Sequence, residues 1–135
     1  MKILVIEDDE VTNFLNKRVI LGELPDAEVV IARSGSEALE AIDGVLQNKQ
    51  PLFDFVLVDG SMPIMDGWAF IDVIATKEYQ SVQQIPYYLL TSSLIDEDFM
   101  NTKRRPLITK FYSKPLNAAK LREILQAQSE RKLPV

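Results

Sequence analysis

The sequence predicts an α/β fold, a parallel β-sheet with helices on both faces. Strand-like and helix-like segments alternate along the whole chain, as in successive β-α units. The run Phe53 to Val58 is continuously apolar apart from Asp54, as a central strand covered on both faces should be. Four apolar runs also end in functional-type polar residues. Lys2 to Ile6 leads into Glu7-Asp8-Asp9, and Phe53 to Val58 into Asp59; Pro86 to Leu90 leads into Thr91, and Ile108 to Ser113 into Lys114-Pro115. If these runs are neighbouring parallel strands, their ends converge on the sheet edge where open α/β folds bind ligands.

Each element has its own justification. After the first strand, Val11, Phe14, Leu15 and Val19 keep helical spacing up to Gly22, the expected end of that helix. Glu28 to Ala32 reads as the second strand. Ser34-Gly-Ser-Glu37 resembles a capping box, and Ala38, Leu39, Ile42, Val45 and Leu46 follow on one helical face. Gln47 to Pro51 is a polar loop before the third strand. A third helix is expected from about Asp66-Gly67, turning Phe70, Ile71 and Ile74 inward. Pro86 suits the first position of the fourth strand. A short fourth helix is expected over 96–105, stopped by Pro106. The fifth strand, Ile108 to Tyr112, is more polar, as an edge strand tends to be. Asn117 caps a last helix with Leu121, Ile124 and Leu125 toward the core.

Composition narrows the function. A chain of 135 residues with 47% hydrophobic residues fits one globular domain, expected to span 1–135 with a core over about 2–128 and no output domain after it. Apolar runs stay well below the ~20 residues of a membrane span, and Met1-Lys2-Ile3 enters a strand without a signal-peptide pattern. Membrane insertion is not expected, and a cytoplasmic location is. With no cysteine and no histidine, disulfides, thiolate chemistry and a phosphohistidine role are excluded. A net charge of −5 argues against direct nucleic-acid binding and favours a divalent cation or a basic partner.

If the first and third strands are neighbours, Asp8 and Asp59 stand about 4.8 Å apart. Two bare carboxylates at that range repel by roughly 3 kcal/mol at an effective dielectric near 20. Such a cluster calls for a cation or a raised pKa, and oxygen-only ligands select magnesium or manganese. Lys114 can offset part of the charge. Taken singly, each motif has a plainer explanation: a helix cap for Glu7-Asp8-Asp9 and for Thr91-Ser92-Ser93, a turn for Asp59-Gly60, a surface loop for Lys114-Pro115. Four such motifs at successive strand ends do not.

Together Ile3-Leu-Val-Ile-Glu-Asp-Asp9, Asp59-Gly-Ser-Met-Pro-Ile-Met-Asp-Gly67, Leu89-Leu-Thr-Ser92 and Phe111-Tyr-Ser-Lys-Pro115 resemble the receiver domains of two-component response regulators, of the stand-alone, chemotaxis-receiver-like kind. The resemblance implies a flavodoxin-like, doubly wound (βα)5 three-layer sandwich with strand order 2-1-3-4-5. It also implies Asp59 as phosphoacceptor. Glu7, Asp8, Asp59 and the backbone carbonyl of Ser61 would hold Mg2+ or Mn2+. Thr91 and Lys114 would bind phosphoryl oxygens, with Thr91 and Phe111 as the switch pair and a cis Lys114-Pro115 bond. Asp9 is left to cap a helix. Implied partners are a sensor histidine kinase or a histidine phosphotransfer protein, plus a downstream protein target. That target would meet the face built from the fourth helix, fifth strand and fifth helix, with Ile95, Phe99 and Tyr112 as candidates. The protein would then be a signalling phosphoacceptor, catalysing only its own phosphorylation and dephosphorylation.

Ser61 and Ser93 are shorter than many relatives carry two residues after the acceptor and the switch hydroxyl, and Ser92 replaces a more usual alanine. Lys103-Arg104-Arg105 is expected to complement a helix C-terminus, and Trp68 to pack in the core. Two alternatives stay open, a pseudo-receiver that binds partners without phosphorylation and a phosphatase with an aspartyl-phosphate intermediate. A flavin-binding domain would need a Ser/Thr/Gly-rich phosphate loop after the first strand, which the sequence lacks.

Overall fold

The alternation of strand and helix closes into a five-stranded parallel sheet of order β2-β1-β3-β4-β5 in the computed structural model, which describes residues 1–59, 65–91 and 105–132. The strands are β1 (Lys2–Ile6), β2 (Glu28–Ala32), β3 (Phe55–Asp59), β4 (Tyr87–Thr91) and β5 (Ile108–Ser113). Helices α1 (Glu10–Glu23), α2 (Gly35–Gln47) and α3 (Gly67–Ile74), a 3-10 segment (Lys77–Val82) and a C-terminal helix (Ala118–Lys132) complete the described elements. The order and the parallel pairing agree with the expected doubly wound fold. The helix expected over 96–105 lies, except for Arg105, outside the described residues.

Period-2 alternation along the strands builds two cores, one on each face of the sheet. Leu4, Ile6, Val56, Val58 and Leu89 meet Ala38 and Ile42 of α2 and Phe70, Ile71 and Ile74 of α3. Ile3, Val5, Phe55, Leu57 and Leu90 meet Ile20 of α1 and Leu121 and Ile124 of the C-terminal helix. Every residue of β3 and β4 is buried, whereas β5 exposes Thr109 and Lys110 at its edge.

The caps follow the residue types. The Asp9 carboxylate accepts from the Thr12 amide at 2.8 Å, Ser34 from the Glu37 amide at 3.1 Å, and Asn117 from the Lys120 amide at 2.8 Å. The first helix departs from expectation at both its end and its face. It runs past Gly22 to Glu23, because the Leu24 amide still bonds to Ile20 O. Its buried residues are Asn13, Asn16 and Ile20. Val11, Phe14 and Leu15 instead face outward, 66%, 62% and 50% exposed. The third strand begins two residues later than expected and runs one residue further, taking in Asp59 as its last residue.

Candidate functional site

Parallel registration brings the polar strand ends together. β1 pairs with β3 so that Ile6 stands opposite Val58, which leaves Glu7 and Asp59 as the next residues at adjacent strand tips. β4 carries Thr91 one register step beyond the residue opposite Asp59, and Thr91 in turn faces Ser113 on β5. The Lys114 amide donates to Thr91 O at 2.7 Å, which starts the loop leaving β5 at a fixed place. The Lys114-Pro115 bond is cis.

Lys114 Nζ donates to Glu7 Oε1 at 2.9 Å and lies 3.2 Å from Asp59 Oδ2. Glu7, Asp8 and Asp59 each place a carboxylate oxygen within 4.8 Å of the others. Glu7 and Asp59 are buried, at 3% and 7% exposure, while Asp8 is exposed at the rim. The cluster is therefore two buried carboxylates and one open one, facing the Lys114 ammonium.

The electrostatics follow from that arrangement. Burial is the largest cause pushing the Glu7 carboxyl up to about 8, with a hydrogen bond to Asp59 and the Asp59 charge adding to it and Lys114 opposing it. As a carboxylate, Glu7 Oε2 is a buried acceptor with no donor. A proton on this carboxyl lets it donate to Asp59 instead. Burial disfavours the Lys114 ammonium, but the Glu7 hydrogen bond and the Asp59 and Glu7 charges outweigh it and raise its pKa. Asp9 points away to its cap, and its two bonds from Thr12 hold its carboxyl below the usual range.

Among the expected site residues, Glu7, Asp8, Asp59, Thr91 and Lys114 thus come together at one sheet edge. Phe111 stands opposite Leu89 on β5 and packs, half-buried, against the core on the α2–α3 face. Ser61, Ser92, Ser93, Ile95 and Phe99 lie outside the described residues. Tyr112 is a core residue of the opposite face, and its hydroxyl donates to Glu123 at 3.1 Å. Trp68 packs partly on the core, with the Arg105 guanidinium 5.1 Å over its ring. Arg105 pairs with Asp72 of α3 through Nε at 2.9 Å and Nη2 at 3.0 Å. It therefore ties the start of the β5 approach to α3; Lys103, Arg104 and the helix end they are expected to complement lie outside the described residues.

The sequence reading missed Asn13. It is buried, and its amide nitrogen donates to the Glu7 backbone carbonyl at 2.9 Å. The available signal was spacing: Asn13, Asn16 and Ile20 fall on one helical face, opposite Val11 and Phe14.

Comparison with known proteins agrees with this fold. The sequence profile of the response regulator receiver domain matches residues 3–126. The hybrid signal transduction histidine kinase A of Dictyostelium discoideum is 29% identical over 126 residues, 92% of this chain. The chain spans about 5% of that relative's length. A two-component response regulator from Cytophaga hutchinsonii superimposes with a TM-score of 0.84 at 25% identity, covering 96% of each chain. Chemotaxis protein CheY4 of Vibrio cholerae superimposes at 0.74 and 24% identity, covering 93% of this chain and 96% of that one, a likeness of fold.

Proposed function

The chain belongs to the response regulator receiver domain family, and from that premise we propose that Asp59 accepts a phosphoryl group from a phosphohistidine donor in a two-component phosphorelay. One observation carries the reading: Lys114 Nζ bridges Glu7 and Asp59 inside a three-carboxylate cluster at the end of a buried strand. An ammonium fixed on the nucleophile's own carboxylate is placed to hold an incoming phosphoryl oxygen. The domain is taken to span 1–135.

The residue set fits a hard divalent cation such as Mg2+ or Mn2+. All donors are oxygens, Glu7 Oε2 lacks a donor, and one ammonium cannot balance three carboxylates. Asp8 and Asp59 would bind directly, Glu7 through water, and the Ser61 carbonyl would complete the protein's share. When bound, the cation supplies charge neutralisation for the transferring phosphoryl group.

The chain's own residues do the rest. An Asp59 carboxylate oxygen attacks phosphorus, forming the acyl phosphate as the bond from phosphorus to the donor imidazole nitrogen breaks. The electron pair of that bond leaves with the nitrogen. Lys114 offsets charge on the equatorial oxygens, and the Thr91 hydroxyl donates to another of them. Burial of Asp59 in strand β3 limits its motion, so positioning rather than acid–base chemistry supplies the rate. The protein is accordingly a phosphoacceptor whose only catalysis is on itself.

The donor is a protein, a sensor histidine kinase or a phosphotransfer protein. The exposed Val11, Phe14 and Leu15 stand within the first two turns of α1, directly after Asp8, and would press against it. Once phosphorylated, Asp59 carries close to two negative charges and strong acceptors. Thr91 then moves toward them and Phe111 turns into the space released, which alters the face formed by the fourth helix, β5 and the C-terminal helix for a downstream partner. None of the helices among the described residues is long and apolar enough to cross a membrane, and the proposed place of action is the cytoplasm. Magnesium-dependent labelling by acetyl phosphate tests the reading; an unlabelled protein that still binds a partner would favour the phosphorylation-independent module.

A further inference from the structure

Two glycines outside the acid cluster stand against the two ends of the segment that joins Asp59 to α3. Gly67, the buried first residue of α3, packs against the backbone of the acceptor itself. A Cβ there would fall well inside van der Waals contact of the Asp59 carbonyl oxygen, and 2.6 Å from Val58 Cγ1. Gly35, the buried first residue of α2, packs against Met65 at the other end. Its amide donates to Met65 O at 2.7 Å, and a Cβ would lie 2.8 Å from that oxygen and 2.6 Å from Met65 Cγ. The contrast with the other described glycines is complete, since a Cβ on Gly22 or Gly44 would meet nothing within 4 Å.

We propose that Gly35 and Gly67 are positioning residues of the phosphoryl site, fixing where the acceptor segment leaves β3 and where it rejoins the fold. Gly67 holds the Asp59 carbonyl and so the orientation of the residue carrying the nucleophile. Gly35 acts from the β2–α2 junction, across the sheet order from β3, by an amide bond and a contact that admit no side chain. To accept an alanine at 35, the Met65 carbonyl must recede by roughly 0.6 Å to reach an ordinary 3.4 Å contact. Displacements near 1 Å around a reacting centre cost on the order of a hundredfold in rate. Met65 lies two residues before Gly67, which packs on the Asp59 carbonyl, so the shift reaches the residue that the proposed function makes both acceptor and cation ligand; the inference rests on that reading.

Gly35→Ala and Gly44→Ala variants of the full chain are compared with wild type by circular dichroism, Mn2+ titration and acetyl phosphate labelling, at a temperature where each is fully folded. Gly35→Ala is expected to bind Mn2+ more weakly and to label on the order of tenfold to a hundredfold slower at saturating donor, with Gly44→Ala matching wild type. If the single variant does not fold, Gly35→Ala/Met65→Ala, which removes the side-chain part of the clash, is compared with Met65→Ala in its place. Relative to Met65→Ala, the double variant should show the same weakened Mn2+ binding and slowed labelling. Wild-type Mn2+ affinity and labelling rate in folded Gly35→Ala, or values equal to Met65→Ala in the double variant, would overturn the inference. A wild type that binds Mn2+ and is not labelled overturns the functional reading instead, and Mn2+ affinity alone then decides the positioning role.

Discussion

Replacing Asp59 by asparagine removes one charge from a buried cluster, and its cost should depend on pH in a way the geometry fixes. Glu7 is neutral at pH 6 and ionised at 9.5, because its carboxyl is raised to about 8. The folded state therefore holds a proton between about 4.5 and 8 that the unfolded chain has released, and metal-free stability falls as pH rises through that window. At pH 9.5 the wild type carries ionised Glu7 and Asp59 oxygens within 4.8 Å of one another. At an effective dielectric near 20 that repulsion is about 3 kcal/mol. Burial contributes more to the rise of Glu7 than Asp59 does, so the share relieved by Asp59→Asn is nearer 2 kcal/mol. The loss of the 3.2 Å contact to Lys114 is common to both pH values. Urea unfolding of both proteins in chelator at low salt should show the variant gaining about 2 kcal/mol on wild type between pH 6 and 9.5. A relative stability that stays constant across that range would refute the electrostatic account of the site.

Other expectations follow from the same contacts. Mg2+ at a hundred times its Kd should stabilise the wild type by about 2.7 kcal/mol in thermal or urea unfolding, its affinity should rise with pH toward 8 as Glu7 gives up its proton, and Asp59→Asn should weaken it. Phe14→Ser and Leu15→Ser should leave unfolding within about 0.5 kcal/mol of wild type, since both side chains are exposed. Phosphotransfer from a cognate protein donor should slow by roughly tenfold in both, with acetyl phosphate labelling unchanged. Asn13→Ala should cost about 1–3 kcal/mol, because the Glu7 carbonyl loses its buried donor; an unchanged urea midpoint would show that water replaces it.

What the sequence made legible was whatever depends on strand ends and periodicity. Acids after β1, an aspartate closing β3, a hydroxyl closing β4 and a lysine after β5 converge because parallel strands end on the same edge. Capping residues Asp9, Ser34 and Asn117 were readable from local chemistry alone. Helix α1 was not, because its apolar stripe at Val11, Phe14 and Leu15 faces outward while Asn13 and Asn16 face in. An amide buried to hold a backbone carbonyl looks, in sequence, like a surface residue. Gly35 was illegible for a related reason. Its constraint comes from Met65, thirty residues on, and a close approach between distant segments leaves no periodic trace.

The most direct test is the site of covalent labelling. Wild-type protein incubated with acetyl phosphate and Mg2+ should gain one phosphoryl group, mapped by tandem mass spectrometry after borohydride trapping to Asp59, with none in chelator and none in Asp59→Asn. Full labelling of Asp59→Asn, or a phosphoryl group mapped to another residue of the wild type, would contradict the account.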